Sequence, residues 1–272
     1  MNRLSLNQKT VNSVGIEQAV KLTLEAGLEA IGVWREPLAE YGLENTKRLL
    51  VDSGLRVSSL CRGGFITEPA GGLREKAISE NIVAIKEAAA IGARCLVMVV
   101  GGLPVGSKDI NAARQNVLDG IRQLAPIAGD LGVQLALEPM HPIFTADRGV
   151  LATLEEALDI AEQFPQEQVG VVIDTFHLWW DPAVERMIER SAGRISSFQI
   201  CDWITPFPGD ALLSRGMMGD GHIDFRHFRK MVENAGYDGD IEVEIFNADI
   251  WNQEPGEVIE RMKNAYKEFV LG

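Results

Sequence analysis

The stretch Val133-Gln-Leu-Ala-Leu-Glu138-Pro-Met-His141-Pro142 joins an apolar run to a carboxylate that is followed at once by a proline. Four of its first five residues are apolar, which is typical of a strand buried on both faces in a parallel sheet. Pro139 has no amide hydrogen to donate, so strand pairing is expected to stop near Glu138. The sequence therefore predicts a carboxylate at the carboxyl end of a buried strand.

The same arrangement recurs later in the chain. Asp174 ends the apolar segment Val169–Asp174, and Glu244 lies near the end of the segment Asp240–Ile245. Gln199 has the corresponding place near the end of Ile195–Ile200. In parallel α/β folds, ligands bind at the edge where the strands end, so these four side chains are candidates for one site.

Eight predicted strands alternate with predicted helices along the 272 residues. The strands are Leu4–Gln8, Ala30–Trp34, Arg56–Cys61, Cys95–Val100, Val133–Glu138, Val169–Asp174, Ile195–Ile200 and Asp240–Ile245. The mean spacing of 272/8 = 34 residues is the size of one βα unit, which predicts a single (β/α)8 TIM barrel over residues 1–272. A doubly wound open sheet is the alternative, but no GxGxxG motif opens the first helix. Residues 204–223 show no regular pattern, and a loop of that length is usually functional.

The composition excludes several classes of function. A net charge of −13 argues against nucleic-acid binding, and it discourages a strongly anionic substrate unless Arg and Lys gather locally. No apolar run is long enough for a transmembrane helix, and the first residues lack the apolar region of a signal peptide. Cys61, Cys95 and Cys201 are isolated along the chain, which predicts reduced thiols in a cytoplasmic protein.

The four strand-end side chains predict a metal site. Adjacent strands lie about 4.8 Å apart, so the end groups of Glu138, Asp174, Gln199 and Glu244 can converge on one point. Three converging carboxylates repel one another unless a cation lies between them. Oxygen ligands favour one divalent ion, with Mn²⁺ preferred over Mg²⁺, Co²⁺ and Zn²⁺. A lone strand-end acid more commonly caps a helix or pairs with an arginine, and Glu242, two residues before Glu244, points to the same face.

Several motifs resemble the xylose isomerase-like TIM-barrel superfamily of sugar isomerases and epimerases, which includes ketose 3-epimerases, inosose isomerases and dehydratases, and dehydroshikimate dehydratase. They are LALEPMHP (135–142), VVIDTFHLWWD (171–181), ISSFQICDW (195–203), SRGMMGDGHIDF (214–225) and YDGDIEVEIF (237–246). The resemblance implies one divalent metal ion on Glu138, Asp174, position 199 and Glu244, with the two glutamates also moving protons. Position 199 is commonly histidine in the family, so Gln199 departs from the pattern.

The resemblance also implies substrate-binding roles for His177 and Arg215. Phe144 stands where ketose 3-epimerases have a substrate-binding glutamate, so the chain departs from them there. His141 and Arg62 are further candidates because they follow predicted strands. Trp34 is a candidate for an apolar wall against a sugar face, as are Trp179, Trp180 and Trp203.

We therefore expect a metal-dependent isomerase or epimerase that acts on an unphosphorylated keto sugar or keto-cyclitol through a metal-stabilised enediolate. A dehydratase of the inosose or dehydroshikimate type is the alternative, and a non-catalytic sugar-binding barrel remains a third possibility. An endonuclease IV-like nuclease is disfavoured, because the chain has four histidines and a net charge of −13. The expected partner is a small sugar or cyclitol, with no nucleic acid and no membrane, and a homodimer or homotetramer is possible.

Overall fold

Eight parallel strands close into a barrel in the computed structural model, which describes residues 3–207 and 209–272. The barrel strands are β1 (Leu4–Asn7), β2 (Ala30–Trp34), β3 (Arg56–Gly64), β4 (Cys95–Val99), β5 (Gln134–Leu137), β6 (Val169–Asp174), β7 (Ile195–Ile200) and β10 (Ile241–Val243). Around the barrel they follow the order β1-β10-β7-β6-β5-β4-β3-β2, and β1 pairs with both β10 and β2. The predicted (β/α)8 barrel is confirmed. Residues 1 and 2, and Pro208 of the predicted loop, lie outside the described residues.

Helices follow the strands and form the outer layer. They are α1 (Ile16–Glu25), α2 (Arg35–Tyr41), α3 (Leu43–Ser53), α4 (Gly72–Ala90), α5 (Ile110–Asp130), α6 (Leu154–Ala161), α7 (Thr175–Leu178), α8 (Val184–Arg190), α9 (Phe225–Asn234), α10 (Ala248–Trp251) and α11 (Pro255–Ala265). A π-helical turn, Tyr266–Leu271, continues α11. Gly42 separates α2 from α3 with a φ of 90°, a left-handed conformation that glycine adopts readily and that ends a right-handed helix. None of the helices in the described residues is long and apolar enough to cross a membrane.

The loop over residues 204–223 is more ordered than its sequence pattern indicates. Two short strands, β8 (Asp202–Trp203) and β9 (Arg215–Gly216), pair antiparallel across it. The buried carboxylate of Asp202 accepts hydrogen bonds of 2.8–3.0 Å from the backbone amides of Gly219, Gly221, His222 and Ile223. One buried carboxylate therefore holds both ends of the loop together and fixes the position of Arg215 between them.

Apolar side chains fill the layer between the strands and the helices. A smaller apolar cluster inside the barrel comprises Trp34, Cys61, Cys95, Val97, Ala136 and Val172. The three cysteines are buried and form no disulfide. Buried polar side chains also lie along the strands, among them Ser5, Ser58 and Ser196, and buried acids stand at the carboxyl ends of β5, β6 and β10.

Candidate active site

Three strands place a carboxylate at the carboxyl-terminal mouth of the barrel. Glu138 follows β5, Asp174 ends β6 and Glu244 follows β10, and these residues are only 4%, 1% and 3% exposed. The backbone of Glu138 still donates to Met98 O at 3.2 Å, and β5 ends there, as Pro139 predicts. Asp174 Oδ1 accepts from the Phe176 amide at 2.8 Å and caps α7. The barrel therefore brings three acids from separate strands into one buried region.

Arg215 lies between two of these acids. Its Nη1 is 3.0 Å from Asp174 Oδ2 and 2.9 Å from Glu244 Oε2. The guanidinium carbon is also 4.9 Å and 5.0 Å from the ring centroids of Phe176 and Phe246. Asp174 and Glu244 are thus paired with an arginine, which is the common alternative to metal binding for an acid at a strand end.

Glu138 has no such partner. Among residues 3–207 and 209–272 its carboxylate accepts no hydrogen bond, and His177 Nε2, at 3.9 Å, is too distant for one. Burial raises the pKa of Glu138 well above its ordinary value, and the charges of Glu244 and Asp174 raise it further. Burying an ionised carboxylate without a partner is unfavourable. This side chain is therefore expected to carry a proton or to bind a cation.

His177 is neutral and its tautomer follows from its contacts. Burial, and then the charge of Arg215, hold the pKa of His177 well below its ordinary value. Its Nδ1 accepts from the His141 amide at 3.1 Å, so the ring proton is on Nε2. The 3.1 Å contact between this Nε2 and Arg215 Nη2 therefore joins two donors. An acceptor oxygen from a ligand would be a better partner for both groups.

Gln199 contacts Glu242 rather than the three mouth acids. The strand register aligns Gln199 with both Asp174 and Glu242, and its Nε2 donates to Glu242 Oε1 at 3.1 Å. Its Oε1 is buried and has no partner in the described residues. Glu242 also accepts hydrogen bonds from Asn7, Ser58 and Ser59. Glu244 also accepts hydrogen bonds, from Asn7 Nδ2 and Arg215 Nη1, but of these two glutamates only Glu244 lines the cavity described next.

A cavity of about 180 Å³ opens at this mouth. It is lined by Lys9, Trp34, Glu36, Cys61, Arg62, Val97, Val99, Glu138, Met140, Arg148, Leu212, Arg215, Glu244 and Phe246. Of the predicted substrate-binding residues, Trp34, Arg62 and Arg215 belong to this lining, and His141 and His177 do not. The His141 ring packs instead against Trp203 and Trp180, with centroids 4.8 and 5.5 Å away. A larger depression of about 600 Å³, at the amino ends of the strands, contains none of the clustered acids.

The donor set fits a divalent cation. Ligand atoms of Glu138, Asp174 and His177 all lie within 4.8 Å of one another, and the unpartnered Gln199 Oε1 is a further buried oxygen. In the barrel interior, the four acids Glu138, Asp174, Glu242 and Glu244 are balanced by the single buried guanidinium of Arg215. A cation bound to Asp174 or Glu244 would compete with Arg215 for their oxygens.

Sequence reasoning missed the hydrogen-bonding partners beneath the site. Asn7, Ser58 and Ser59 are polar residues within apolar strand segments, and that departure from an apolar run was their only signal. Lys9, in the 3-10 helix Gln8–Val11, and Arg148, in a turn after β5, line the cavity and carried no signal. Their roles depend on which strand ends become neighbours in the closed barrel.

The pH dependence of metal binding is a prediction of this geometry. Burial raises the pKa of Glu244 to about 7, and Arg215 only partly offsets this. Because the folded-state pKa is raised, the contribution of Glu244 to the stability of the metal-free protein is fully present below the ordinary glutamate pKa and is lost as the pH rises through about 7. A metal must displace this proton, so its affinity should rise with pH up to about 7 and release protons on binding. Calorimetry of Mn²⁺ binding in buffers of different ionisation enthalpy measures both, and an affinity independent of pH would contradict the prediction.

Comparison with known families places most of the chain in one family. Residues 20–266 match the family described as xylose isomerase-like TIM barrel. The chain belongs to this family. It is 25% identical over 252 residues to a ketose 3-epimerase of Arthrobacter globiformis, which covers 87% of this chain and 79% of that enzyme. It is 26% identical over 161 residues to an inosose isomerase of Bacillus subtilis, which covers 58% of this chain and 56% of that enzyme.

Two solved structures superpose closely on the chain. A protein of Sinorhizobium meliloti is 45% identical with a TM-score of 0.96, and the match covers 99% of both chains. The IOLI protein with a bound zinc atom has a TM-score of 0.85 over 98% of both chains, and its 20% identity makes this a likeness of fold. The chain is therefore similar in sequence to a ketose 3-epimerase and an inosose isomerase, and one protein of the same fold binds zinc.

Proposed function

We propose that the protein is a divalent-metal-dependent isomerase or epimerase of a small keto sugar or keto-cyclitol. The observation that carries the proposal is the placement of Glu138 and Glu244 on one cavity. They come from β5 and β10, which are separated by β6 and β7 around the barrel, so they approach the cavity from different walls. Two carboxylates on different walls suit the removal of a proton from one side of a carbon and its return to another side.

The roles of the residues follow from their environments. The carboxylate of Glu138 has no hydrogen bond from the described residues and is the better proton acceptor when its charge is stabilised. Glu244 has a pKa of about 7, which suits a group that both holds and releases a proton near neutral pH. Arg215 can bind a substrate oxygen with the same guanidinium that holds Asp174 and Glu244. Trp34 and Phe246 pack edge to face, with centroids 5.5 Å apart, and give the cavity an apolar wall.

The residues that would hold the metal are Glu138 and Asp174, which cluster with His177, and Glu244, which shares the Arg215 guanidinium with Asp174. The unpartnered oxygen of Gln199 is a further candidate ligand. When bound there, a divalent ion would act as a Lewis acid on the substrate carbonyl and stabilise the negative charge that follows proton removal. The mainly oxygen donor set supports Mn²⁺ as our preferred ion. The zinc atom in the IOLI protein makes Zn²⁺ the competing choice.

The proposed activity is tested by exchange with solvent deuterium. Metal-loaded protein is incubated in D₂O with a panel of keto sugars and inososes, and NMR is used to follow the loss of protons at the carbons next to the carbonyl. We expect exchange at one such carbon, together with an epimer or positional isomer. Metal-bound protein that exchanges no proton in any member of the panel would refute the proposal.

The same experiment separates the dehydratase alternative. Removal of the same proton followed by loss of a β-hydroxyl gives an enone, which absorbs in the ultraviolet. Phe144 is buried against His177, with ring centroids 5.7 Å apart, where ketose 3-epimerases are expected to carry a glutamate. This apolar residue supports a substrate or reaction other than that of a ketose 3-epimerase, and the panel should therefore include inososes.

The part played by Gln199 in metal binding is a separate prediction. If its unpartnered Oε1 is a ligand, Gln199→Ala should weaken Mn²⁺ binding by about tenfold or more. The matched control is Ser59→Ala, which also removes hydrogen bonds to Glu242 but removes no group from the predicted ligand set. Titration with Mn²⁺, followed by electron paramagnetic resonance, measures both affinities. Equal affinities in the two variants would show that Gln199 only supports Glu242.

The compartment is also a proposal. The three cysteines are buried and free, as expected for a protein in a reducing environment. We therefore retain a cytoplasmic location as the preferred one.

A further inference from the structure

Four basic side chains line the small cavity at the barrel mouth. They are Lys9, which follows β1, Arg62 near the end of β3, Arg148 in the segment after β5, and Arg215 on β9. The chain has 26 basic residues against 39 acidic ones, so basic groups are in the minority overall. A protein of net charge −13 would bind an anionic substrate only where Arg and Lys gather locally, and these four residues gather at one cavity.

Two of these cations are held by aromatic rings instead of carboxylates. The guanidinium carbon of Arg62 lies 4.5 Å from the Phe65 ring centroid, and Arg62 forms no ion pair within the described residues. The Lys9 ammonium lies 4.7 Å from the Trp34 ring and, within the described residues, donates only to the amide oxygen of Asn12. Cation–π contacts hold a cation in place without neutralising it.

The other two basic residues differ in their partners. Arg215 is committed to Asp174 and Glu244. Arg148 is 3.5 Å from its sequence neighbour Asp147, an exposed pair of the kind that contributes little. Arg148 therefore remains available to a ligand together with Arg62 and Lys9.

Arg62 and Arg148 also influence each other. Burial lowers the pKa of Arg62, and the charge of Arg148 lowers it further, although Glu36 acts in the opposite direction. A bound anion would relieve this repulsion. The other acids of the lining are Glu138 and Glu244, whose charges the proposed function assigns to metal binding and proton transfer.

We infer that the substrate is a keto-sugar acid whose carboxylate binds between Arg62 and Arg148, with Lys9 close to it. This inference rests on the proposed function, because it takes Glu138 and Glu244 as occupied by the metal and the reaction. The cavity of about 180 Å³ corresponds to roughly six waters at about 30 Å³ each, which is room for a monosaccharide-sized molecule. The planar guanidinium groups of two arginines suit a carboxylate, which each can bind through two parallel hydrogen bonds.

The test compares three ligands that differ only at C6: D-fructose, D-fructuronate and D-fructose 6-phosphate. Binding to the metal-loaded protein is followed by tryptophan fluorescence, since Trp34 lines the cavity. We expect the acid to bind at least about tenfold more tightly than the neutral sugar. D-Tagatose and D-tagaturonate repeat the comparison on a second scaffold. Equal binding of acid and neutral sugar, tighter binding of the phosphate, or no binding of either acid would overturn the inference.

Variants assign the effect to particular residues. Arg62→Gln and Arg148→Gln should each weaken binding of the acid by about tenfold more than they weaken binding of the neutral sugar. The control is Arg48→Gln, an exposed arginine on α3 outside the cavity lining, which should change neither. Loss of acid and neutral binding in equal measure would contradict a contact with the carboxylate.

Failure of this inference is distinguishable from failure of the proposed function. Deuterium exchange in a neutral keto sugar, without any preference for the acid, would retain the isomerase and refute the acid substrate. Preferential acid binding without exchange in any ligand would retain the carboxylate site and refute the proton-transfer role.

Discussion

Replacing Arg215 by glutamine is expected to destabilise the metal-free protein by about 3–5 kcal/mol, because it leaves Asp174 and Glu244 buried without their cation. Arg215 is 2% exposed and lies between two aromatic rings, so water cannot replace the missing charge without disturbing the packing. Chemical denaturation of metal-free protein measures the loss.

The same substitution should make stability depend on metal. A divalent cation bound to Asp174 and Glu244 would supply the positive charge that the guanidinium provided. In the variant the cation would not compete with Arg215 for the oxygens of these two acids. Added Mn²⁺ or Zn²⁺ should therefore recover most of the lost free energy of unfolding and should bind the variant more tightly than the natural protein. Destabilisation without any recovery by metal would mean that the acids cannot hold a cation, which would remove the basis of the proposed function.

The matched control for Arg215→Gln is Arg261→Gln. Arg261 also bonds a carboxylate, that of Asp220, but the pair is at the surface with side chains 44% and 38% exposed. Its loss should change stability by less than about 1 kcal/mol, with no effect of metal. Arg215→Lys, which keeps the charge but not the two-sided contact, should fall between the two.

Glu138→Gln is expected to lower the rate of proton exchange by about 10²–10⁴-fold, the range associated with loss of a general base. The metal-free variant should at the same time be more stable than the natural protein near pH 8, by about 1–3 kcal/mol. The reason is that glutamine removes a buried charge that accepts no hydrogen bond within the described residues. Lower activity together with higher stability would indicate that Glu138 serves the reaction and not the stability of the fold.

Glu244→Gln provides the comparison within the site. It should lose exchange to a similar extent, but it should gain less stability than Glu138→Gln, because it also breaks the ion pair with Arg215. Glu185→Gln, an exposed acid on α8, is the control that should alter neither property. Exchange measured by NMR in D₂O and denaturation at pH 8 give the two readouts. A Glu138 variant with full activity would exclude it as the base, and lowered stability would contradict its unpartnered state.

The sequence determined the barrel because the fold depends on local patterns repeated along the chain. Eight apolar strand segments, each followed by a helical segment, leave little choice for a parallel sheet, and the strand-end acids could be recognised because proline or polar residues stop each apolar run. Glu138, Asp174 and Glu244 were therefore predicted to meet at one edge, and the structure brings them together there.

Only the tertiary structure decided how these charges are balanced. The register of β7 and β10 sets Gln199 against Glu242, and the loop over residues 204–223, whose ends Asp202 holds together, places Arg215 between Asp174 and Glu244. It also gathers Lys9, Arg62 and Arg148 from three distant segments at one cavity. Such contacts form only when the barrel closes with one particular strand register. That register is set jointly by side chains that are far apart in the chain. For that reason no local pattern in the sequence encodes them.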